Sequence, residues 1–218
     1  LAGRVSRSEA AWAQRIALAE RLNARVLTDL KVPAAFPTDH ALHAGVPGTI
    51  APTSQAADAL RQADVILSLD WLDVAGTFKH AGGAIAAKVV QVSVDHHLHN
   101  GWSMDYQGLP PVDVFLDCEP DAAVPLLLAA LGPAKPHAVP TAGREAFTPA
   151  GDKLTVDHLA DALRRAVGER PASLTHVSLS WNGASWPFRH PLDYLGGDGG
   201  GGVGGGPGIS VGAALALK

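Results

Sequence analysis

The run Asp-Val-Ile-Leu-Ser-Leu at residues 64–69 constrains the fold more than any other feature. A strand with one wet face alternates apolar and polar side chains. This run does not alternate, so both of its faces are covered, as in a parallel sheet. Residues 88–94 (KVVQVSV) and 112–116 (VDVFL) read as further strands, and residues 24–30 (ARVLTDL) as a short one before them. Helix-period segments lie between. The first spans about 7–23, with Trp12, Ile16, Ala19 and Leu22 at helical spacing behind Ser6 and Glu9, which have capping-box separation. Residues 56–62, 72–80 and 122–131 read as helices, and Gly132 and Pro133 stop the one at 122–131. This alternation implies right-handed βαβ units and an α/β fold: a doubly wound, Rossmann-like parallel sheet over residues 1–132.

Residues 133–153 carry four prolines and no clear period, the pattern of an interdomain linker. Thr155 caps a helix through Val167, with Leu159, Leu163 and Ala166 on one face and Gly168 at its end. Residues 174–180 (LTHVSLS) form a strand, a glycine tract occupies 196–208, and a helix starts near Pro207 or Gly208. Residues 154–218 thus read as the start of a second α/β domain. The chain begins at Leu1, has its single methionine at Met104 and ends at Lys218 inside an apolar run. It is expected to be an internal piece of a longer protein.

Composition narrows the function. The chain has 218 residues, 47% hydrophobic, with 17 basic and 21 acidic side chains and a net charge of −4. This supports a real core and gives no basic footprint for nucleic acid. No Lys/Arg block suggests a membrane patch, and no apolar run reaches the roughly 20 residues of a membrane span. The single cysteine, Cys118, excludes intrachain disulfides and CxxC knuckles and favours an intracellular, cytoplasmic setting.

The glycine tract is the most unusual segment. It reads either as a flexible linker or as a backbone cradle for an anion at the start of a helix. Val203 and Ile209 punctuate it, and a helix-forming run follows at once, which favours the cradle. Its GxGxxG match (Gly200, Gly202, Gly205) has no weight in a glycine run and does not follow a strand directly. His96, His97 and His99, and also His40 and His43, lie in loops, where histidines are more commonly surface or hydrogen-bonding groups. No metal is assigned to them. Ser178, Ser180 and Ser185 lack a GxSxG elbow and read as strand and loop serines. Asp70 and Asp73 read as caps or solvating groups at a helix start.

The order of segments resembles the thiamine-diphosphate-dependent enzymes of the acetolactate synthase group. The family's GxFPxxHPLxxG loop corresponds to Ala35-Phe36-Pro37-Thr38-Asp39-His40-Ala41-Leu42-His43-Ala44-Gly45, and Ala63-Asp64 precedes the buried strand as the family's AD does. Residues 154–171 and 174–182 look like the first helix and strand of the diphosphate-binding domain. The glycine tract resembles the family's GGLGxMGxGLPAAIGAA segment, with Gly212-Ala213-Ala214 at its end.

What the resemblance implies is an enzyme, transferase or lyase, that cleaves or forms C–C bonds on small 2-keto acids with thiamine diphosphate. Val203 falls where the family places the apolar wedge beneath the bent cofactor, flanked by Gly202 and Gly204. Gly201 falls where a backbone carbonyl meets the cofactor's 4′-amino group. Asn182 falls near a polar position that contacts the diphosphate. The activating glutamate belongs to an N-terminal domain, and the Mg2+ ligands lie beyond Lys218, so no catalytic residue is expected in this piece and it is expected to be inactive alone. Gly197-Asp198-Gly199 spells GDG but precedes the wedge, and no magnesium is assigned to it. Flavin-binding members place an arginine where this chain has Asp70, whose charge would repel a flavin-adenine diphosphate. FAD is therefore not expected. A homo-oligomer, dimer or tetramer, follows because the family's sites lie between subunits. The alternative reading is a non-catalytic nucleotide-binding or structural α/β protein.

Overall fold

A computed structural model of the chain describes residues 1–49, 51–83, 85–95, 112–132, 147–181, 183–197 and 204–218. Among them run α1 (Glu9–Leu22), α2 (Ser54–Gln62), β1 (Val65–Leu69), α3 (Val74–His80), β2 (Lys88–Val92) and β3 (Val114–Leu116). They are followed by α4 (Pro120–Ala130), α5 (Val156–Val167) and α6 (Gly205–Ala216).

The three strands form a parallel sheet in the order β1-β2-β3, with Val65 opposite Lys88 and Val90 opposite Val114. Helices cover both faces. On one face Ile66 and Val89 pack with Leu60 of α2 and Val74 and Phe78 of α3. On the other, Leu69 and Val92 pack with Leu18 of α1 and Ala123 and Val124 of α4. Each such buried aliphatic side chain contributes about 1.5–3 kcal/mol. The doubly wound α/β expectation holds.

Beyond β1 the sheet continues as single pairings. Ala2 bridges Leu69 in parallel, the Ala2 N–H donates to the Leu27 carbonyl, and Val26 bridges His43. The spatial order is therefore residues 24–28, then 1–3, then β1, β2 and β3. In chain order this is 2-1-3-4-5, a doubly wound arrangement whose switch point lies between residues 1–3 and β1. Residues 24–30 do not become the expected strand. Their neighbour at 42–44 runs alongside only briefly before Gly45 turns at φ 91.

Helix starts follow their caps. Ser8, rather than Ser6, caps α1 by accepting from the Ala11 N–H at 3.4 Å, while the Ser6 hydroxyl accepts from the Ser8 N–H. Thr53, Asp73 and Thr155 cap α2, α3 and α5. α5 departs from expectation: Leu159 and Leu163 are exposed, as is Ala166, while Ala160 and Asp161 are buried. Ala160 packs among the tryptophans, and Asp161 draws Arg164 and Arg165 to it at 2.7 Å each.

The later segment folds back onto the first. Trp181, Trp186, Phe188 and Tyr194 share one apolar cluster with Trp12, Leu30 and Ala34. Thr38 and Phe188 exchange backbone and hydroxyl hydrogen bonds, and the Tyr194 hydroxyl donates to the Leu30 carbonyl at 2.8 Å. Residues 174–180 do not form a strand. Leu174 makes a single bridge to Tyr194, and His176 at φ 46 breaks the extended backbone two residues later.

Arg15 ties α1 to this frame. Its buried guanidinium donates to the carbonyls of Ala35 and Ser6 and pairs with Asp121 at 3.1 Å. Arg15→Met leaves these acceptors unmet, and a urea unfolding midpoint should report a loss of about 2–4 kcal/mol.

Candidate functional site

In a doubly wound sheet, ligands bind at the carboxyl ends of the strands, beside the switch point. Here that place is closely filled. A Cβ on Gly3 would lie 2.3 Å from the Asp70 carbonyl oxygen, so only glycine lets the two segments approach. The next residue, Arg4, forms a bidentate pair with Asp70 at 2.8 and 2.9 Å. The Ser93 hydroxyl donates to the same carboxylate at 2.5 Å, and Asp95 meets Arg4 at 3.3 Å. Asp70 has a left-handed backbone at φ 51 and is 6% exposed. Its charge is therefore matched from within the chain, and it is not the bare anion that the sequence suggested. Asp73 does cap a helix, with the Gly76 N–H at 2.6 Å.

Beside the switch point lies a small cleft of about 20 Å³, room for about one water molecule. Asp29, Lys31 and Thr28 form one wall, and Trp71, Val46 and Ala56 form others. The Asp29 and Lys31 side chains are each 10% exposed and sit 4.0 Å apart. Burial raises the Asp29 carboxyl to about 6, against the opposing pull of the Lys31 charge and the backbone N–H groups of Lys31 and Val32. The same burial, with Asp29 nearby, holds the Tyr194 hydroxyl above its ordinary range. The Trp71 indole is fixed by its N–H donating to Thr77 at 2.8 Å.

The loop at residues 35–45 is a packing device. Phe36 is 1% exposed and meets the His40 ring edge-on at 5.2 Å. His40 faces Glu20 at 3.3 Å, and His43 shares a 2.8 Å hydrogen bond with Thr28. No group of three or more His, Cys, Asp or Glu among the described residues could hold a metal ion.

The cofactor-binding residues expected from sequence, Asn182, Gly201, Gly202 and Val203, lie outside the described residues, as do His96, His97, His99, Asp198, Gly199 and Gly200. Their surroundings are described. The glycine tract opens α6 through Gly204 at φ 94, and the helix has no side-chain cap at its N-terminus. His176 lies against that end, where a Cβ on Gly206 would be 3.1 Å from its ring. Thr175 and Ser210 share a 3.0 Å hydrogen bond. The Trp181 indole N–H and the Ser185 hydroxyl are buried with no hydrogen-bond partner among the described residues. Ser178 and Ser180 are exposed and meet each other at 3.1 Å.

Sequence reading missed Arg4, Lys31 and His176. Arg4 sits in a segment too short to show a period, and Lys31 reads as an ordinary solvated lysine. Only the neighbouring tract of glycines marks the place that His176 packs against.

Residues 1–104 match the family described as "Thiamine pyrophosphate enzyme, central domain". No curated protein matches the chain. Among solved structures, one assigned as a thiamin diphosphate-dependent enzyme from Mycobacterium smegmatis is 22% identical, with a TM-score of 0.64 over 94% of this chain and 39% of its own. Benzoylformate decarboxylase from Polynucleobacter necessarius is 21% identical, with a TM-score of 0.66 over 94% of this chain and 38% of its own. These two likenesses concern the fold. The chain spans about two fifths of the length of those structures.

The Asp29 carboxyl gives a pH signature. Between its ordinary value of 3.8 and about 6, the folded chain keeps a proton that the unfolded chain has released. Stability is therefore lost as pH rises through this window, by about 2–3 kcal/mol from this residue. Urea midpoints at pH 4.5 and 7 should differ less in Asp29→Asn than in the parent.

Proposed function

We propose that this chain, whose residues 1–104 match the thiamine pyrophosphate enzyme central-domain family, is the part of a thiamine-diphosphate enzyme that joins the central unit to the glycine-rich wall of the cofactor site. One observation carries the reading. The family-matched unit is followed in the chain by a glycine tract that opens α6 without a side-chain cap. First-turn N–H groups left open in this way favour an anion such as a diphosphate. The buried Trp181 N–H and Ser185 hydroxyl, with no partner among the described residues, fit a polar group of the same kind.

In this reading Asn182 would contact the diphosphate, Gly201 would offer its backbone carbonyl to the cofactor's 4′-amino group, and Val203 would support the bent cofactor as an apolar wedge. Gly202 and Gly204 keep the wedge free of neighbouring side chains. When bound, thiamine diphosphate supplies a carbon nucleophile and an electron sink for breaking or making the bond beside a 2-keto group. The residues of this chain orient it and exclude water from one side. The reaction class is transferase or lyase on a small 2-keto acid, as decarboxylase or carboligase, in a cytoplasmic homo-oligomer. Mg2+ ligands and the activating glutamate belong to segments outside residues 1–218.

The central unit is assigned no flavin. The switch point that would take the dinucleotide is closed by the Arg4–Asp70 pair, and the cleft beside it carries the buried Asp29 carboxylate. The same closure weighs against the nucleotide-binding alternative. None of the described helices is long and apolar enough to cross a membrane.

The test uses the protein that carries this chain, with thiamine diphosphate and Mg2+ present. Its melting temperature should rise with cofactor concentration, as binding to the native state alone requires. Val203→Ala should lower kcat about tenfold or more, with a smaller change in cofactor affinity, because the wedge acts on geometry at the reacting ring. No stabilisation by the cofactor at millimolar concentration would contradict the assignment.

A further inference from the structure

One side chain outside the glycine tract meets both of its ends. Residues 174–176 run beside residues 193–196. The Leu174 N–H donates to the Asp193 carbonyl at 2.8 Å, the Leu195 N–H to the Leu174 carbonyl at 2.9 Å, and the His176 N–H to the Gly196 carbonyl at 2.9 Å. That short ladder fixes the stem by which the chain enters the tract. His176 itself has a left-handed backbone at φ 46. Such a conformation is uncommon away from glycine and persists where the surroundings impose it. The half-buried ring presents one edge to each stem. A Cβ on Gly197, at the entry, would lie 4.0 Å from Nδ1. A Cβ on Gly206, in the first turn of α6, would lie 3.1 Å from Cδ2. Thr175 adds its 3.0 Å hydrogen bond to Ser210, about one turn further along α6.

Gly206 is not in the left-handed region, so its backbone does not require glycine. Alanine ordinarily favours a helix over glycine. What disfavours a side chain at 206 is the His176 ring. The tract between the stems has few side chains to hold it, and glycine loses more conformational freedom on ordering than any other residue. Val203 stands three residues before Gly206 in the chain, and Gly201 five. Where these two residues come to rest therefore depends on how the stems are spaced.

We propose that His176 is a positioning residue for the cofactor site. Its ring sets the spacing of the two stems of the glycine tract, and through them the placement of Gly201 and Val203 against thiamine diphosphate. The inference rests on the thiamine-diphosphate reading above and assigns His176 no contact with the cofactor and no proton transfer.

The test uses the protein carrying this chain, with thiamine diphosphate and Mg2+. Calorimetry gives the cofactor Kd, and NMR after timed quenching gives the rate at which the C2 proton of the bound cofactor exchanges with D2O. Asparagine tolerates a left-handed backbone, so His176→Asn removes the ring with the least disturbance of the chain. It should slow the exchange at least tenfold and change Kd less than threefold, because misplacement acts on reacting geometry more than on anchoring. A residue that only supports the fold would lower the melting temperature and leave the exchange rate of the loaded protein unchanged. Gly206→Ala should lower the melting temperature of the parent and raise it in the His176→Asn background, where the ring is gone. Gly212→Ala is the control, since a Cβ there meets nothing within 4 Å. It should have the same effect in both backgrounds. Should His176→Asn fail to fold, Gly206→Ala in the parent decides, and it should slow the exchange at least threefold. Unchanged exchange in whichever of these variants folds, or equal destabilisation by Gly206→Ala in both backgrounds, overturns the positioning role alone. A parent that does not bind thiamine diphosphate overturns the cofactor reading and this role with it.

Discussion

The close approach of Gly3 to the Asp70 carbonyl is the contact on which the architecture turns. With no room for a Cβ, residues 1–3 can lie directly beside β1. This approach is part of the 2-1-3-4-5 order, in which α1 and α4 pack on one face and α2 and α3 on the other. It also delivers Arg4 to Asp70 at the switch point. The place where such sheets usually receive a ligand is thereby spent on an internal ion pair.

A second dependence follows from the aromatic cluster. Trp181, Trp186, Phe188 and Tyr194 bring the later part of the chain against α1 and the loop at 30–38. Tyr194 and Thr38 add directional bonds at the two ends of that contact. The glycine tract leaves this anchored region and enters α6, none of whose residues is buried within the chain. An apolar helix of that kind fits a place among further packed elements.

Much of the first unit was legible in the sequence, for physical reasons. The continuous apolar run at 64–69 marks a strand covered on both faces and the valine-rich run at 88–94 a second, and β1 and β2 lie within them. Helix starts at Thr155 and Asp73 were visible because a capping side chain acts locally. The failures are non-local. Residues 24–30 and 174–180 have strand composition but lack a partner that runs beside them for long, and sequence carries no record of the partner. The face that α5 buries carries Ala160 and the ion-paired Asp161, not the leucines. The charge at Asp70 could be read, but the Arg4 that neutralises it comes from 66 residues away. The expected cofactor contacts rest on a glycine tract whose composition alone fits two roles.

The central claim is that the segment from Asn182 to α6 forms one wall of a thiamine-diphosphate site. The most direct measurement is an experimental density map of the protein carrying this chain, crystallised with thiamine diphosphate and Mg2+. The account predicts cofactor density with the Val203 side chain between its two rings and the Gly201 carbonyl at the aminopyrimidine. Cofactor bound away from residues 182 and 201–203, or a glycine tract in contact with no ligand, would contradict it.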